Sequence, residues 1–385
     1  VQPAHAQNPV VTENQLPGTS LFVWDNIWTA GDPSIQGFAT EISVNKGQTI
    51  EFKVDVNTGT NKDFTMKIYR LGYYQGNGAR LVADLGTISG VAQPAPLVDE
   101  AIGLVDCGNW SVTSSWSVPG NAISGIYVAK LERLAGGGAS HITFIVRDDA
   151  RNSDILFKTS DATWHAYNNY GGPSLYYGGM TGYPNGRASK VSYNRPFNTR
   201  SNSSDNFVFN AEFPMLQWLE RNGYDVTYST DVDFERDASP ITPARYKAIL
   251  SVGHDEYWSK NQRDRVENAR NSGVHLAFFS ANEVYWKTRW EPSIDGSNQD
   301  YRTLVCYKEG TSINMGENTC GTPDCDPLSG VWTGLWRFGQ QEDAGKPENE
   351  LSGQTSWLER RLPLVVPGRF RNMRFWRNTS IASMT

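Results

Sequence analysis

A chain of 385 residues is long enough for two domains, each with its own core. Its formal charge is −6, and only 20 % of it is Asp, Glu, Lys or Arg, with no lysine- or arginine-rich run. That balance excludes a nucleic acid or an anionic bilayer held mainly by charge, and no apolar stretch reaches bilayer length, so neither nucleic-acid binding nor membrane insertion is expected.

Ala4-His5-Ala6 has the A-x-A form of a signal-peptidase site. With plentiful aromatic, Gly, Asn, Ser and Thr residues and little Lys, it leads us to expect an exported protein, secreted or periplasmic. Residues 1–150 then read as strands. "TEISVNKGQTIEFKVDV" sets Ile42 and Val44, then Ile50, Phe52, Val54 and Val56, among polar neighbours, and predicts a hairpin across Lys46-Gly47. "FTMKIYRLGYY", "GIYVAKLERL" and "SHITFIVRD" repeat the alternation between glycine-rich turns, which predicts an antiparallel, Ig-like β-sandwich. The polar stretch "RDDARNS", 147–153, is the expected linker.

From residue 151 to 385 the pattern changes to a second, α/β domain. "DILFKTSD", "YDVTYSTD", "YKAILSVG" and "VHLAFFSAN" read as buried strands, and "EFPMLQWLERNG" as a helix with Gly223 past its end. Ser259 and Gln262 form a capping-box pattern, and Gly273 closes that second helix. Strands and helices alternating at this spacing predict a mainly parallel sheet of the flavodoxin or class I glutamine-amidotransferase kind. Beyond residue 290, "LVCYKEG", "GVWTGLWRFG" and "FRNMRFWRNTSIASMT" read as strands in a loop-rich region. Cys107, Cys306, Cys320 and Cys325 contain no C-x-x-C pair. The nearest histidine to the cluster, His275, lies roughly thirty residues before Cys306, so disulfides are expected over zinc, with three full pairings open.

Ligands of an open parallel sheet bind at the carboxyl ends of its strands. "SVGHDEYWSK", 251–260, places Gly253 to Trp258 there as a loop, with His254 and Glu256 one residue apart and able to face one side. The next strand ends in Ala281, Asn282 and Glu283 at the same rim. A second cluster, "SDATWHAYNNYGGPSLYYGG", follows the first strand of the domain and brings His165, Tyr167, Tyr170, Tyr176 and Tyr177 toward the same cleft. Plainer readings stand beside these: a carboxylate serving the following helix dipole, His254 bonded to backbone, and tyrosines forming a carbohydrate or partner surface. G-x-S-x-G, H-E-x-x-H and G-K-[ST] motifs are absent, and no cysteine sits in a strand-to-helix turn. Metal-activated water or carboxylate acid–base chemistry remains.

In "FATEISVNKGQTIEF", "IYRLGYYQGNGARLV", "SGIYVAKL", "TWHAYNNYGGPSLY", "VSYNRPF", "WLERNGYDVTYSTDVD", "GHDEYWS" and "SANEVYWKTRW" the chain resembles the large (β) subunit family of N,N-dimethylformamidase. The resemblance covers roughly residues 35–290, in family order, and "RFWRNT" matches a later segment. It implies an amide-hydrolysing enzyme with a mononuclear ferric iron held by two tyrosines and one glutamate. Carried over, the metal ligands fall on Tyr127, Tyr167 and Glu256, with His254 and Asn282 beside the metal as catalytic residues. Family members continue with more α/β sheet where this chain stops, so the second domain is expected to be truncated. They also work with a small partner subunit, and the cysteine-containing stretch 306–325 has no counterpart in their pattern. Three functions follow: hydrolysis of a small amide; an exported structural or carbohydrate-binding protein that kept the scaffold, as a homo-oligomer or polymer; or a glycosidase-like enzyme pairing Glu256 with Asp255 or Glu283.

Overall fold

The computed structural model describes residues 8–25, 31–178, 186–197, 199, 207–309, 325–338, 345–355 and 366–376. The chain divides into two compact units, 1–355 and 356–385. In the second, the residues Gly368–Phe370 and Arg374–Trp376 form single 3₁₀ turns where a strand was expected, and 377–385 lie outside the described residues.

The first unit opens with α1 (Pro9–Asn14) and α2 (Leu21–Trp24). Ten strands follow: β1 (Gln36–Ala39), β2 (Ser43–Asn45), β3 (Thr49–Asp55), β4 (Phe64–Leu71), β5 (Ala79–Ile88), β6 (Leu97–Asp99), β7 (Leu104–Asp106), β8 (Ser114–Ser117), β9 (Gly125–Arg133) and β10 (Ala139–Arg147). One sheet has the order β2-β10-β9-β4-β5, a second β1-β3-β8, and β6 pairs with β7. Pairing is antiparallel except where Ser43 lies opposite Ile145, in the parallel β2–β10 pair. The expected hairpin is therefore not formed. Lys46-Gly47, with Gly47 at φ 83°, carries the chain from one sheet to the other, because β2 is satisfied by β10 while β3 takes β1 and β8.

The alternation in β3 does mark an inner face. Ile50, Phe52, Val54 and Val56 are buried with Phe64, Met66 and Ile68, and with Ala129, Leu131 and Phe144, so both sheets feed one apolar cluster. Each such aliphatic or aromatic side chain contributes about 1.5–3 kcal/mol by leaving water. The stretch 147–153 is pinned rather than loose. Arg147 Nη1 lies 2.9 Å from Asp233 and Nη2 3.0 Å from Asp149, and Lys46 lies 2.5 Å from Asp148.

Beyond it come β11 (Ile155–Lys158), α3 (Asp161–Tyr167), β12 (Lys190–Ser192), α4 (Glu212–Arg221), β13 (Val226–Ser229), α5 (Asp231–Glu235), β14 (Ala248–Gly253), β15 (Tyr257–Ser259), α6 (Lys260–Ser272), β16 (His275–Ser280), β17 (Trp286–Glu291), β18 (Thr303–Val305) and α7 (Asn349–Ser352). A wholly parallel sheet has the order β13-β11-β14-β16, and a mixed one β12-β18-β17-β15. Ser259 and Gln262 make the expected capping box of α6, and Gly273 ends it at φ 108°. Two expectations change. Tyr257–Ser259 is a short strand paired with β17 and not loop, and β16 is the edge of its sheet, with Phe279 56 % exposed. "LVCYKEG" supplies β18, whereas the described part of "GVWTGLWRFG" makes only isolated bridges to Trp286 and Glu309.

The chain is thus mixed α/β, with many strands in several sheets and few helices. A second apolar cluster runs from Tyr69, Val128 and Ile145 to Phe157, Tyr228 and Leu250, joining the strands on either side of residue 150. Among the described residues no helix is long and apolar enough to cross a membrane. Cys107 and Cys306 are buried free thiols, so the expected full pairing of four cysteines fails. Cys107 packs against Phe38 and Trp110, and Cys320 lies outside the described residues. Burial pushes the Cys306 thiol up to about 12.

Candidate metal and catalytic site

In chain order the parallel sheet runs second, first, third, fourth, so the direction of winding reverses between β11 and β14. Such a switch point opens a crevice at the strands' carboxyl ends. β11 leads through Thr159 and Ser160 into α3, whose last residue is Tyr167. β14 ends at Gly253 in a left-handed conformation, φ 101°, and a Cβ there would lie 2.7 Å from Glu212 Oε1. Only glycine fits this approach.

Asp255 points beneath the site. Lys158 Nζ donates to its two carboxylate oxygens at 2.7 and 2.9 Å, Ser251 Oγ donates at 2.6 Å, and Lys158 also pairs with Asp231. Burial alone would discharge Lys158, but Asp231 and Asp255 outweigh it and hold the ammonium above its ordinary range. With Asp255 anchored, His254 and Glu256 share the opposite side. The backbone of Glu256 is fixed as well: its N–H donates to Thr163 Oγ1 at 3.2 Å, and its carbonyl accepts from Tyr285 and Trp286 N–H at 3.1 and 2.9 Å.

The Glu256 carboxylate is 3 % exposed and is the point of convergence. Tyr167 Oη donates to Oε2 at 3.1 Å, Tyr176 Oη donates to Oε1, and Trp286 Nε1 donates to Oε1 at 3.0 Å. The two tyrosine rings stack with centroids 4.3 Å apart. Burial, followed by the Glu256 charge, keeps the Tyr176 phenol well above its ordinary range. His254 Nε2 lies 3.6 Å from Glu256 Oε2 and 3.2 Å from Asn282 Nδ2. An amide nitrogen only donates, so Nε2 is the acceptor in that contact. Asn282 holds φ 50°, a left-handed conformation that favours Gly and Asn. Lys308, also left-handed at φ 54°, sets its Nζ 3.1 Å from the Tyr176 ring centroid and 4.5 Å from that of Trp286. Burial lowers its ammonium to about 7 against the opposing pull of Glu256.

Of the predicted site residues, Tyr167, His254, Glu256 and Asn282 come together, and Tyr127 does not join them. It lies in the apolar cluster with Phe52, Met66 and Phe144, its ring 5.8 Å from both Trp116 and Phe144, and its hydroxyl donates to the Ile123 carbonyl at 2.7 Å. Strand alternation on β9 fixes that direction. The second phenol is Tyr176, present in the aromatic stretch but not singled out; Trp286 and Lys308 were missed altogether. The paired-carboxylate arrangement does not form either, since Asp255 is turned to Lys158 and Glu283 Oε1 accepts from Gln354 Nε2 at 2.8 Å.

Fold and site together define a mixed α/β protein with a carboxylate–phenol cluster at the switch point of a parallel sheet. Residues 65–384 match the N,N-dimethylformamidase beta subunit-like, C-terminal family, and the chain belongs to it. It is 27 % identical over 143 residues to the N,N-dimethylformamidase beta subunit of Alcaligenes sp, covering 36 % of this chain and 18 % of that protein. To the beta subunit from Paracoccus aminophilus it is 28 % identical over 137 residues, 34 % of this chain and 17 % of that one. The matched part is thus under a fifth of either relative. Among solved structures, murine CEACAM1b aligns with 32 % of this chain and 61 % of its own at 10 % identity and a TM-score of 0.16, too slight a likeness to carry an argument.

Proposed function

We propose that this chain is an amide hydrolase acting on a small amide, with a ferric ion held by Tyr167, Tyr176 and Glu256. The supporting observation is the convergence of two phenols and a tryptophan N–H on one buried carboxylate beside His254. Among the described residues no group of three His, Cys, Asp or Glu side chains could hold a metal, so a zinc-type ligand set is lacking. The Tyr-Tyr-Glu oxygens are hard anionic donors when deprotonated, which suits a trivalent cation. When bound, such an ion supplies Lewis acidity to an amide carbonyl and to water.

The chain's own residues would do the remaining work. His254, its Nε2 exchanging the Asn282 N–H for the attacking water, takes that water's proton at Nε2 and returns it to the leaving amine. Before that exchange, Asn282 holds the imidazole in the tautomer with Nε2 the acceptor. The stacked Tyr167 and Tyr176 rings, with Trp286, wall the site against bulk water. In this reading the fold is an Ig-like sandwich followed, near residue 150, by a flavodoxin-like sheet; the second-first-third-fourth strand order supports the latter. The relatives are named beta subunits, so we also propose that the chain works within a larger assembly.

Elemental analysis and visible spectroscopy of purified protein test the proposal. Bound iron with a tyrosinate charge-transfer band is expected, both lost in Glu256→Gln. Iron-free protein whose amidase activity survives Glu256→Gln would remove the assignment.

A further inference from the structure

The segment "VSYNRPF", 191–197, has no part in the site as described, yet Tyr193, Arg195 and Phe197 reach α3 or the loop after it, while Asn194 turns away to Ser293 and Arg302. Arg195 is fully buried, and all five of its N–H groups are used. Nε donates to the Ser192 carbonyl at 3.2 Å, Nη1 to those of Tyr170 and Pro173 at 3.1 and 3.3 Å, and Nη2 to those of His165 and Asn168 at 3.2 and 2.8 Å. Four of these acceptors belong to the stretch 165–173, which carries Tyr167 and leads to Tyr176. Around this clamp, Tyr193 stacks on His165 at 3.8 Å and donates to Asp161 Oδ2 at 3.0 Å. The Pro196 carbonyl accepts from Asn168 Nδ2 at 3.0 Å, and Phe197 lies 5.1 Å from the His165 ring.

We infer that Arg195 is the positioning residue that sets the spacing of Tyr167 and Tyr176, acting through the carbonyls of the loop between them. The inference rests on the reading of these phenols as the ligand pair. Eight residues lie between them, and among these Gly171 and Gly172 take positive φ, 79° and 126°. Fixing such a backbone costs conformational entropy, which a cation shared among its carbonyls offsets. All five hydrogen-bond partners are neutral carbonyls, and burial lowers the guanidinium to about 10, still charged at neutral pH. A carboxylate partner would be the usual arrangement for a buried arginine; here the loop takes its place. Lysine cannot substitute, because an ammonium has three donors and no planar fork.

Protein labelled with 3-fluorotyrosine and kept metal-free tests this by ¹⁹F NMR, with Tyr167 and Tyr176 assigned from Phe variants. Arg195→Lys is expected to shift both resonances by more than their line width, to leave Tyr69 and Tyr228 in place, and to weaken ferric binding in citrate competition at least tenfold. Arg302→Lys is the matched control. Arg302 is equally buried and also bonds neutral acceptors, Asn194 Oδ1 and the Ala39 and Tyr193 carbonyls, but makes no hydrogen bond to 165–176. It is expected to lower the melting temperature comparably without moving the pair. Unmoved resonances in folded Arg195→Lys, or equal movement in both variants, would overturn the inference. Wild-type protein that takes up no iron would instead defeat the metal assignment, while the resonances still judge Arg195.

Discussion

Tyr127 and Tyr176 are both phenols in apolar surroundings, yet their hydroxyls answer to different partners. The Tyr127 hydroxyl meets a backbone carbonyl inside an apolar core, so Tyr127→Phe is expected to cost about 1 kcal/mol by losing that hydrogen bond and to leave metal content and activity unchanged. The Tyr176 hydroxyl meets Glu256, whose Oε1 keeps the Trp286 N–H when the phenol is removed. Tyr176→Phe is therefore expected to unfold at nearly the wild-type urea concentration while losing at least ~10-fold in metal affinity and in kcat/KM. Urea titration with iron analysis of the two variants reads both outcomes, and a Tyr127→Phe protein that loses iron would reverse the assignment. This pair also marks how far the site is legible in the sequence. Glu256, His254 and Asn282 could be read because they follow two strands directly and inherit the geometry of the sheet edge. Tyr176 could not, because its position depends on the carbonyls gathered by Arg195, a contact between segments about twenty residues apart that no local pattern reveals.

At the scale of elements, α4 docks its first residue against the sheet edge, and this has a consequence for pH. Glu212 Oε1 accepts from Trp164 Nε1 at 2.8 Å and from the Ser160 N–H at 3.2 Å, whereas Oε2 has no hydrogen-bond partner among the described residues. Burial raises the carboxyl to about 7 against those two bonds. Between its ordinary value of 4.5 and about 7 the folded state holds a proton that the unfolded state has released. Its contribution to stability is thus complete below pH 4.5 and is lost as pH rises through 7. Urea midpoints measured at pH 5, 6.5 and 8 are expected to fall across the series, with a Glu212 share on the order of 3 kcal/mol that Glu212→Gln removes. A slope unchanged by that substitution would place the titration elsewhere. Nearby, Gly253→Ala adds a Cβ 2.7 Å from Glu212 Oε1 at φ 101°, and a loss of at least ~2 kcal/mol in the same titration is expected. Caps such as Ser259 with Gln262 were legible because a helix end is decided within four residues. The partner of β2 was not, since β10, about a hundred residues away, decides whether Lys46-Gly47 closes a hairpin or changes sheets.

At the scale of the molecule, residues 1–355 form one unit because apolar packing and a buried ion pair both cross between its sheets. Arg70 on β4 reaches Glu220 on α4 with Nη2–Oε1 at 2.7 Å and Nη1–Oε2 at 3.0 Å, both side chains essentially out of solvent. Tyr228 Oη and Asn14 Nδ2 donate to the same carboxylate at 2.9 and 2.7 Å, so β13 and α1 are tied to it as well. Burying two charges makes such a pair a modest net contributor, but removing one partner strands the other, at about 3–5 kcal/mol. Arg70→Met and Glu220→Gln are each expected to lose that much. The double variant should lose less than their sum, by about 0.5–3 kcal/mol, because with the guanidinium gone the amide at 220 strands no buried charge and its one oxygen still accepts from either Tyr228 or Asn14. If the pair and the shared core make the unit cooperative, calorimetry of the wild type and of all three variants gives one transition for this unit, moving in temperature with the loss. Two transitions in the Glu220→Gln protein, only one of them shifted, would mean that the antiparallel sheets and the parallel sheet unfold separately and that the ion pair only fastens one to the other.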